Sequence, residues 1–309
     1  MTNRHSFVLG LLVTTSLLCT SQIVWGASEV NTYSKTDFAM DTVVSETLYT
    51  TGEDITADVI AALKDVEENW ISWTKESSQI YQINQNAGTT TTVSDETAAY
   101  LKQVLDLSKA SDGAMDPTMG KVIRLWDIDG ANPHIPAKDE LNALLENVGY
   151  DKVNLDGNEV TMPEGVTLDL GAAGKGIGCD AAKKVLDADK DVSGMILNLG
   201  GSSVMSYGNK PDGSAWQVAV TDPRDTEGDY LGVVSLNGTE FLSTSGDYEK
   251  YFIEDGVRYH HILDPSTGYP ARSGLTSVTV VCDDGLDADG LSTACFVLGR
   301  EKAEELLKE

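Results

Sequence analysis

A chain of 309 residues with 49 acidic and 22 basic side chains, net charge −27, lacks the basic excess that a nucleic acid's phosphates require, which argues against nucleic-acid binding as its task. Hydrophobic residues make up 41% of the chain, enough for a full core in one large domain or in two lobes that share it. Most of the acidity serves solubility, yet any anionic ligand must be neutralised locally, and a divalent metal is one way to do so.

Along the chain, Arg4 and His5 precede an uncharged apolar run over residues 7–18 and a polar stretch that ends in Val24-Trp25-Gly26-Ala27. That order predicts a signal peptide over residues 1–27, followed by an exported mature domain over residues 28–309. The apolar run is shorter than the roughly 20 residues of a membrane span, and no second such segment follows. Cys19 stands after Leu18 instead of a small residue, which argues against lipidation. Cys179, Cys282 and Cys295 have neither metal-ligand spacing nor an even count, so they read as packed thiols.

Residues 41–49 alternate as a strand that ends at Thr51-Gly52-Glu53-Asp54. Thr56 opens a helix, with Val59, Ile60, Leu63, Val66 and Trp70 at helical spacing. Further helices are expected over 96–110, stopping at Gly113, and over 138–148, stopping at Gly149. Beyond Val153 the pattern changes to short strands between glycine turns, over 158–162, 166–170, 195–199, 216–221, 232–236, 259–263 and 275–281. Only two helices interrupt them, one from near Gly178 and one over 288–298, so the fold class is α+β.

Three segments carry chemistry. Asp169-Leu170-Gly171-Ala172-Ala173-Gly174-Lys175-Gly176-Ile177-Gly178 joins a strand to a helix, and its glycines and helix-start N–H groups suit a phosphate that Lys175 would help neutralise. Gly176 stands where a P-loop needs Ser or Thr. Gly176, Gly178 and Ala181 do fit G-x-G-x-x-A, but they do not directly follow the strand as a dinucleotide fingerprint requires; a structural glycine turn is the other reading. In Asp287-Ala288-Asp289-Gly290-Leu291-Ser292-Thr293-Ala294, Asp289 and Thr293 share one helix face, a carboxylate and a hydroxyl suited to magnesium; alone, the segment would equally serve as a helix cap. The third runs from Ser243 to Phe252 and on through His260-His261-Ile262-Leu263-Asp264-Pro265. Neighbouring strand side chains face opposite ways, so only one of His260 and His261 would face a site, where it could accept a proton; a packed histidine hydrogen-bonded to backbone is the equal alternative reading.

In this order the segments resemble the ApbE family of FAD:protein FMN transferases along most of the mature chain. The resemblance includes Met40-Asp41-Thr42, residues 77–84, Gly113-Ala114-Met115-Asp116-Pro117-Thr118, the 169–176 turn, Asn198-Leu199-Gly200-Gly201, residues 216–223, 244–251 and 260–270, and Ala288 to Ala294. It implies a T-fold-related, two-lobed single domain with mixed and antiparallel sheets and flanking helices. It also implies FAD as substrate, a Mg cofactor, and target proteins that receive FMN on Thr or Ser with release of AMP, at a periplasmic or extracytoplasmic location with peripheral membrane association. Flavin contacts would fall to Met40, Ala114, Met115, Asp116, Asp169, Lys175 and Leu263. The metal would be held by the Ala172 carbonyl, Asp289 and Thr293, with Ser292 adjacent. Catalysis would rest on His261, or His260, with Asp289 and Lys175. Asp41 departs from the family's usual glycine, and Ala172-Ala173-Gly174 from a common Gly-Ile-Ala. An FAD pyrophosphatase that uses water as acceptor, and a non-catalytic FAD carrier, are the alternatives.

Overall fold

The computed structural model describes residues 29–225 and 228–308, so the expected signal peptide lies outside the described residues. The first two strands, β1 (Asn31–Ala39) and β2 (Thr42–Thr50), form an antiparallel hairpin whose two-residue turn is Met40-Asp41. Both turn residues have positive φ, 55° and 53°, which is the type I′ geometry that matches strand twist. β1 is exposed on both faces, so it carries no alternating pattern and the sequence gives no sign of it.

Helix α1 (Thr56–Asp65) runs into a π-helical turn at Val66–Ile71, and its Val59, Ile60 and Leu63 face the core as their spacing requires. There follow α2 (Gln79–Gln85), β3 (Thr90–Thr92) and α3 (Asp95–Ala110). The Ser94 hydroxyl caps α3 by accepting from the Thr97 N–H. Next are α4 (Gly120–Trp126), α5 (Lys138–Leu145), β4 (Asn154–Asp156) and β5 (Glu159–Thr161), the two strands pairing with β3 in a small sheet.

Residues 166–170 are not a strand. Thr167 makes a single bridge to Met119, while the Asn84 side chain accepts from Leu168 N–H and donates to Leu168 C=O, and Asp169 N–H donates to Pro117 C=O. The segment is extended and buried, but its backbone is satisfied by a side chain and a loop carbonyl instead of a ladder.

Helix α6 (Gly174–Ala188) starts four residues before the expected Gly178, which places Lys175 and Gly176 in its first turn. Then come β6 (Val192–Leu199), β7 (Ser203–Gly208), β8 (Trp216–Thr221), β9 (Tyr230–Leu236), β10 (Glu240–Gly246), β11 (Tyr251–Glu254), β12 (Val257–His260) and β13 (Ser277–Cys282). The strand expected over 259–263 therefore stops at His260, because Ile262 and Leu263 leave the β11–β12 hairpin for two separate apolar clusters. Two helices close the chain, α7 (Gly285–Leu298), three residues longer at its start than expected, and α8 (Arg300–Leu306).

The principal sheet has the order β1-β2-β6-β7-β10-β13 with every neighbour antiparallel. Side-chain alternation divides its residues between two layers. Val44, Leu48, Met195, Leu197, Leu199, Met205 and Phe241 face α1, α3, α6 and α7 in the main core. Ile196, Val204 and Leu242 face the other way, against Trp216, Val218, Val234 and Leu236 of the β8–β9 hairpin. A further cluster gathers α4, α5 and the β11–β12 hairpin around Trp126, which is fully buried and donates its indole N–H to Gly268 C=O at 2.7 Å. The result is an α+β single domain with helices on one face of an antiparallel sheet.

Candidate active site

The first turns of α6 and α7 meet where only glycine fits. A Cβ on Gly176 would stand 2.0 Å from the Gly285 carbonyl oxygen and 2.9 Å from Asp289 Cβ. The side chain of Asp180, one turn further along α6, fastens the junction by accepting from the Gly285 and Leu286 N–H groups at 2.8 and 2.9 Å. The contact brings Asp289 of α7 onto the start of α6, where Oδ2 accepts the Gly176 N–H at 3.0 Å and Oδ1 accepts the Ser203 hydroxyl at 3.3 Å.

Burial pushes the Asp289 carboxyl up to about 6, although the Gly176 N–H, Lys175 and the Ser203 hydroxyl all favour its charged form. Lys175 points its ammonium at the Ser202 hydroxyl at the entry to β7, so a neutral group holds its charge in place. Thr293, four residues after Asp289, shares its hydroxyl with Ser245 at 3.2 Å. Ser292 is fully buried, donates to the Asp289 carbonyl at 2.8 Å and meets Ser245 at 2.8 Å. One crevice thus contains Lys175, Asp289, Ser203, Ser245 and Thr293. Glu249 lies within their electrostatic reach, its carboxyl raised by burial and by Asp289 but lowered by Lys175 and Lys250.

Among the described residues no cluster of three His, Cys, Asp or Glu side chains could hold a metal. The side-chain donors around Asp289 are oxygens, its own carboxylate with the hydroxyls of Ser203, Ser245 and Thr293. That chemistry fits a hard cation that keeps several positions for water and substrate phosphate, as magnesium does, and does not fit zinc.

In chain order the turn over residues 169–173 joins the start of α6 to Thr167, which with Trp73, Thr74, Tyr81, Lys121 and Arg124, among others, lines a hollow of about 460 Å³. The Arg124 guanidinium lies over the Trp73 ring at 4.5 Å from its centroid, and its buried Nη1 has no hydrogen-bond partner. An orphaned guanidinium nitrogen beside an aromatic ring suits an anion attached to a flat ring system. Asp169 sits in the field of Arg124, and its Oδ1 accepts the Gly171 N–H at 2.8 Å; burial raises its carboxyl.

The other residues singled out in the sequence take distinct places. Met40 holds its left-handed turn by donating its N–H to Glu67 Oε2 at 2.7 Å, and its side chain reaches toward Gly178 of α6. Ala114 and Met115 are buried in the α3–α4 loop, with Met115 near Gly290 of α7. Asp116 ties that loop together, accepting from Thr118 through Oδ1 and from the Tyr150 N–H at 2.8 Å through Oδ2. Leu263 is buried in the Trp126 cluster.

His260 is 2% exposed, donates Nε2–H to Ala271 C=O at 3.0 Å and packs edge-on against Phe296, which makes it the packed member of the pair. His261 is partly open and donates Nδ1–H to Lys250 C=O at 3.3 Å, leaving the Nε2 lone pair free; burial and Lys250 lower its pKa to about 4. Its charged neighbours are Lys250 and Asp129, and no bond joins it directly to Asp289. Sequence reasoning missed Arg124, Ser203, Ser245 and Glu249. Ser245 and Glu249 lie inside the motif from Ser243 to Phe252 but have no local spacing that marks them.

A cation-and-ring hollow and a carboxylate–hydroxyl crevice, in a fold with an antiparallel sheet and helices on one face, bring together the group types that a phosphorylated aromatic ligand would need. Residues 40–309 match the ApbE family. An FAD:protein FMN transferase of Treponema pallidum is 34% identical, the alignment covering 97% of this chain and 88% of its own. One of Haemophilus influenzae is 34% identical over 84% of this chain and 77% of its own. The crystal structure of the ApbE protein from Thermotoga maritima has a TM-score of 0.83 at 34% identity, covering 90% of both chains. The apo Pseudomonas stutzeri flavinyl transferase ApbE has a TM-score of 0.78 at 30% identity, over 90% of this chain and 88% of that one. The chain belongs to the ApbE family.

Proposed function

We propose that this protein is an exported FAD:protein FMN transferase. The observation that carries the reading is the junction of α6 and α7, where Asp289 accepts the Gly176 N–H within the field of Lys175, together with the Trp73–Arg124 hollow. The hollow accepts the ring system and an anionic oxygen of FAD, while Lys175 holds pyrophosphate oxygens. Asp289 and Thr293, with the Ala172 carbonyl and with Ser292 adjacent, would hold magnesium, which when bound offsets charge on the pyrophosphate. The Thr or Ser hydroxyl of a target protein attacks the FMN phosphorus. The new O–P bond forms as the P–O bond to AMP breaks, and the hydroxyl proton passes to Nε2 of His261. The apolar run over residues 7–18 supports export to the periplasm or the outer face of the membrane, where the enzyme would associate peripherally with its targets.

The test incubates the mature protein with FAD, magnesium and a polypeptide bearing the family's threonine-containing acceptor motif, and follows AMP together with covalent flavin fluorescence. AMP with labelled polypeptide supports transfer. AMP with only free FMN would make the protein a pyrophosphatase, and FAD binding with neither product would make it a carrier. Asp289→Ala should abolish magnesium-dependent AMP release, and full activity in that variant would remove the metal assignment.

A further inference from the structure

The outer face of the β8–β9 hairpin carries an apolar surface that packing does not explain. Val218, Val234 and Leu236 turn inward onto the main sheet, so the outward face should be polar by simple alternation. Instead Tyr230 is 61% exposed, Leu231 65% and Val233 51%. The register explains how this arises: Val220 pairs with Gly232 and Thr221 with Tyr230, leaving Leu231 as the extra residue of a bulge. The bulge turns two consecutive apolar side chains, Tyr230 and Leu231, to the surface together. Neither strand contains a charged residue, in a chain of net charge −27.

Two further observations connect this surface to the reaction. Among the described residues β8 and β9 pair only with each other, so each leaves one row of backbone N–H and C=O groups open to an added strand. The loop that follows β8 is held by a fork: Arg224 donates from Nη1 and Nη2 to the two Asp247 oxygens at 2.7 and 2.8 Å, and Arg258 bonds the Asp247 carbonyl at 3.1 Å. Asp247 is two residues from Ser245, which bonds Thr293 beside Asp289, and two from Glu249, in the field of Lys175 and Asp289. The strap therefore fixes the bulged end of the hairpin to the rim of the crevice where the acceptor hydroxyl must arrive.

We propose that the outer face of the β8–β9 hairpin is the docking surface for the acceptor polypeptide, which lies along it as an extended, uncharged segment and passes its Thr or Ser into the crevice. The inference rests on the transferase reading and deepens it by naming where the protein substrate binds. An extended segment suits the occupant, because the open strand edge supplies backbone partners while Tyr230, Leu231 and Val233 supply apolar contact.

The experiment compares the wild type with Leu231→Asp, Val233→Asp and the milder Leu231→Ala, using FAD, magnesium and the threonine-bearing polypeptide. Ile253→Asp, at an equally exposed apolar position on β11, is the control. All three sites are exposed, and circular dichroism and thermal unfolding verify the fold. KM for the polypeptide should rise roughly tenfold in the two Asp variants, and less in Leu231→Ala, while KM for FAD and AMP release without polypeptide stay at wild-type values. Unchanged KM for the polypeptide in folded Asp variants, with the wild type flavinylating it, overturns the docking surface alone. Absence of covalent flavin in the wild type overturns the transferase reading instead. If sedimentation finds a wild-type dimer that Leu231→Asp dissociates while transfer is unchanged, a second copy of this chain is the occupant and the proposal fails.

Discussion

Replacing Gly176 by Ala tests whether the contact between α6 and α7 sets the chemistry. The added methyl would lie 2.0 Å from the Gly285 carbonyl oxygen, 2.5 Å from its carbon and 2.9 Å from Asp289 Cβ, all backbone or backbone-proximal atoms that cannot swing away. Restoring ordinary carbon contact near 3.5 Å requires the two helix starts to part by roughly 1 Å or more. Overpacking of this kind costs about 1–3 kcal/mol of stability, which lowers Tm by several degrees. The functional effect should be larger than the structural one. Parting the helices stretches the 3.0 Å Gly176 N–H to Asp289 bond and moves Asp289 away from Lys175. A displacement of about 1 Å at reacting groups costs on the order of a hundredfold in rate. AMP release with magnesium titrated, beside thermal unfolding and flavin fluorescence quenching on FAD binding, separates the two. The expected variant binds FAD, unfolds several degrees early and releases AMP about a hundredfold more slowly. Wild-type AMP release in a stable Gly176→Ala protein would refute the argument that this junction aligns the catalytic groups.

The remaining predictions concern single groups. Glu46 is buried on β2 with neither carboxylate oxygen hydrogen-bonded, and burial raises its pKa from 4.5 to about 7. The fold thus binds this proton more tightly than the unfolded chain does, so the stability it confers is full below about pH 4.5 and is lost as pH rises to about 7. The loss is at most about 3 kcal/mol; Glu46→Gln should flatten that part of the profile in urea unfolding at pH 5 and pH 8, and equal slopes in both proteins would refute it. His261→Gln should bind FAD normally but transfer FMN about a hundredfold more slowly, whereas His260→Gln, inside the core, should lower Tm before it lowers transfer in the protein that remains folded. Because His261 titrates near 4, its own protonation should not reduce the rate at pH 6, which a pH–rate profile compared with the His261→Gln variant checks. Arg124→Met should weaken FAD binding tenfold or more, by removing the cation that faces the hollow while leaving a side chain that still covers Trp73; unchanged affinity by fluorescence titration would move the anion elsewhere.

What could be read from the sequence followed how local each signal was. Helices α1 and α3 were legible because one apolar face repeats at helical spacing over ten or more residues. β1 was not, since an edge strand open on both faces has no alternation, and α2 and α4, at seven residues each, are too short to establish a period. Residues 166–170 misled for the opposite reason: Val166, Leu168 and Leu170 alternate like a strand and do enter the core, but Asn84 takes the place of a neighbouring strand. Lys175, Asp289 and Thr293 stand out in sequence because each sits in a short segment whose residue types suggest phosphate or metal chemistry, and the fold places Asp289 in the field of Lys175, one helical turn before Thr293. Arg124 reads in sequence as one more charge on a helix, and only the fold brings it onto Trp73, fifty-one positions earlier in the chain.

Charge placement explains how so acidic a chain can serve an anionic substrate. Most cations near carboxylates are spent on them, as Lys35 is on Asp54, Lys183 on Asp187 and Arg224 on Asp247. Lys175 and Arg124 enter no ion pair among the described residues; a serine hydroxyl holds one and a tryptophan ring the other. A hydroxyl and a ring face orient a cation without cancelling it, so its field remains available to phosphate oxygens in a partly dry crevice. Replacing either support with a carboxylate would keep the cation in place yet neutralise it. Ser202→Asp should therefore lose FAD affinity even though it strengthens the bond to Lys175. If FAD binding instead survived Ser202→Asp, the lysine would act as a structural tether, and the positive charge for the pyrophosphate would have to come from the metal alone.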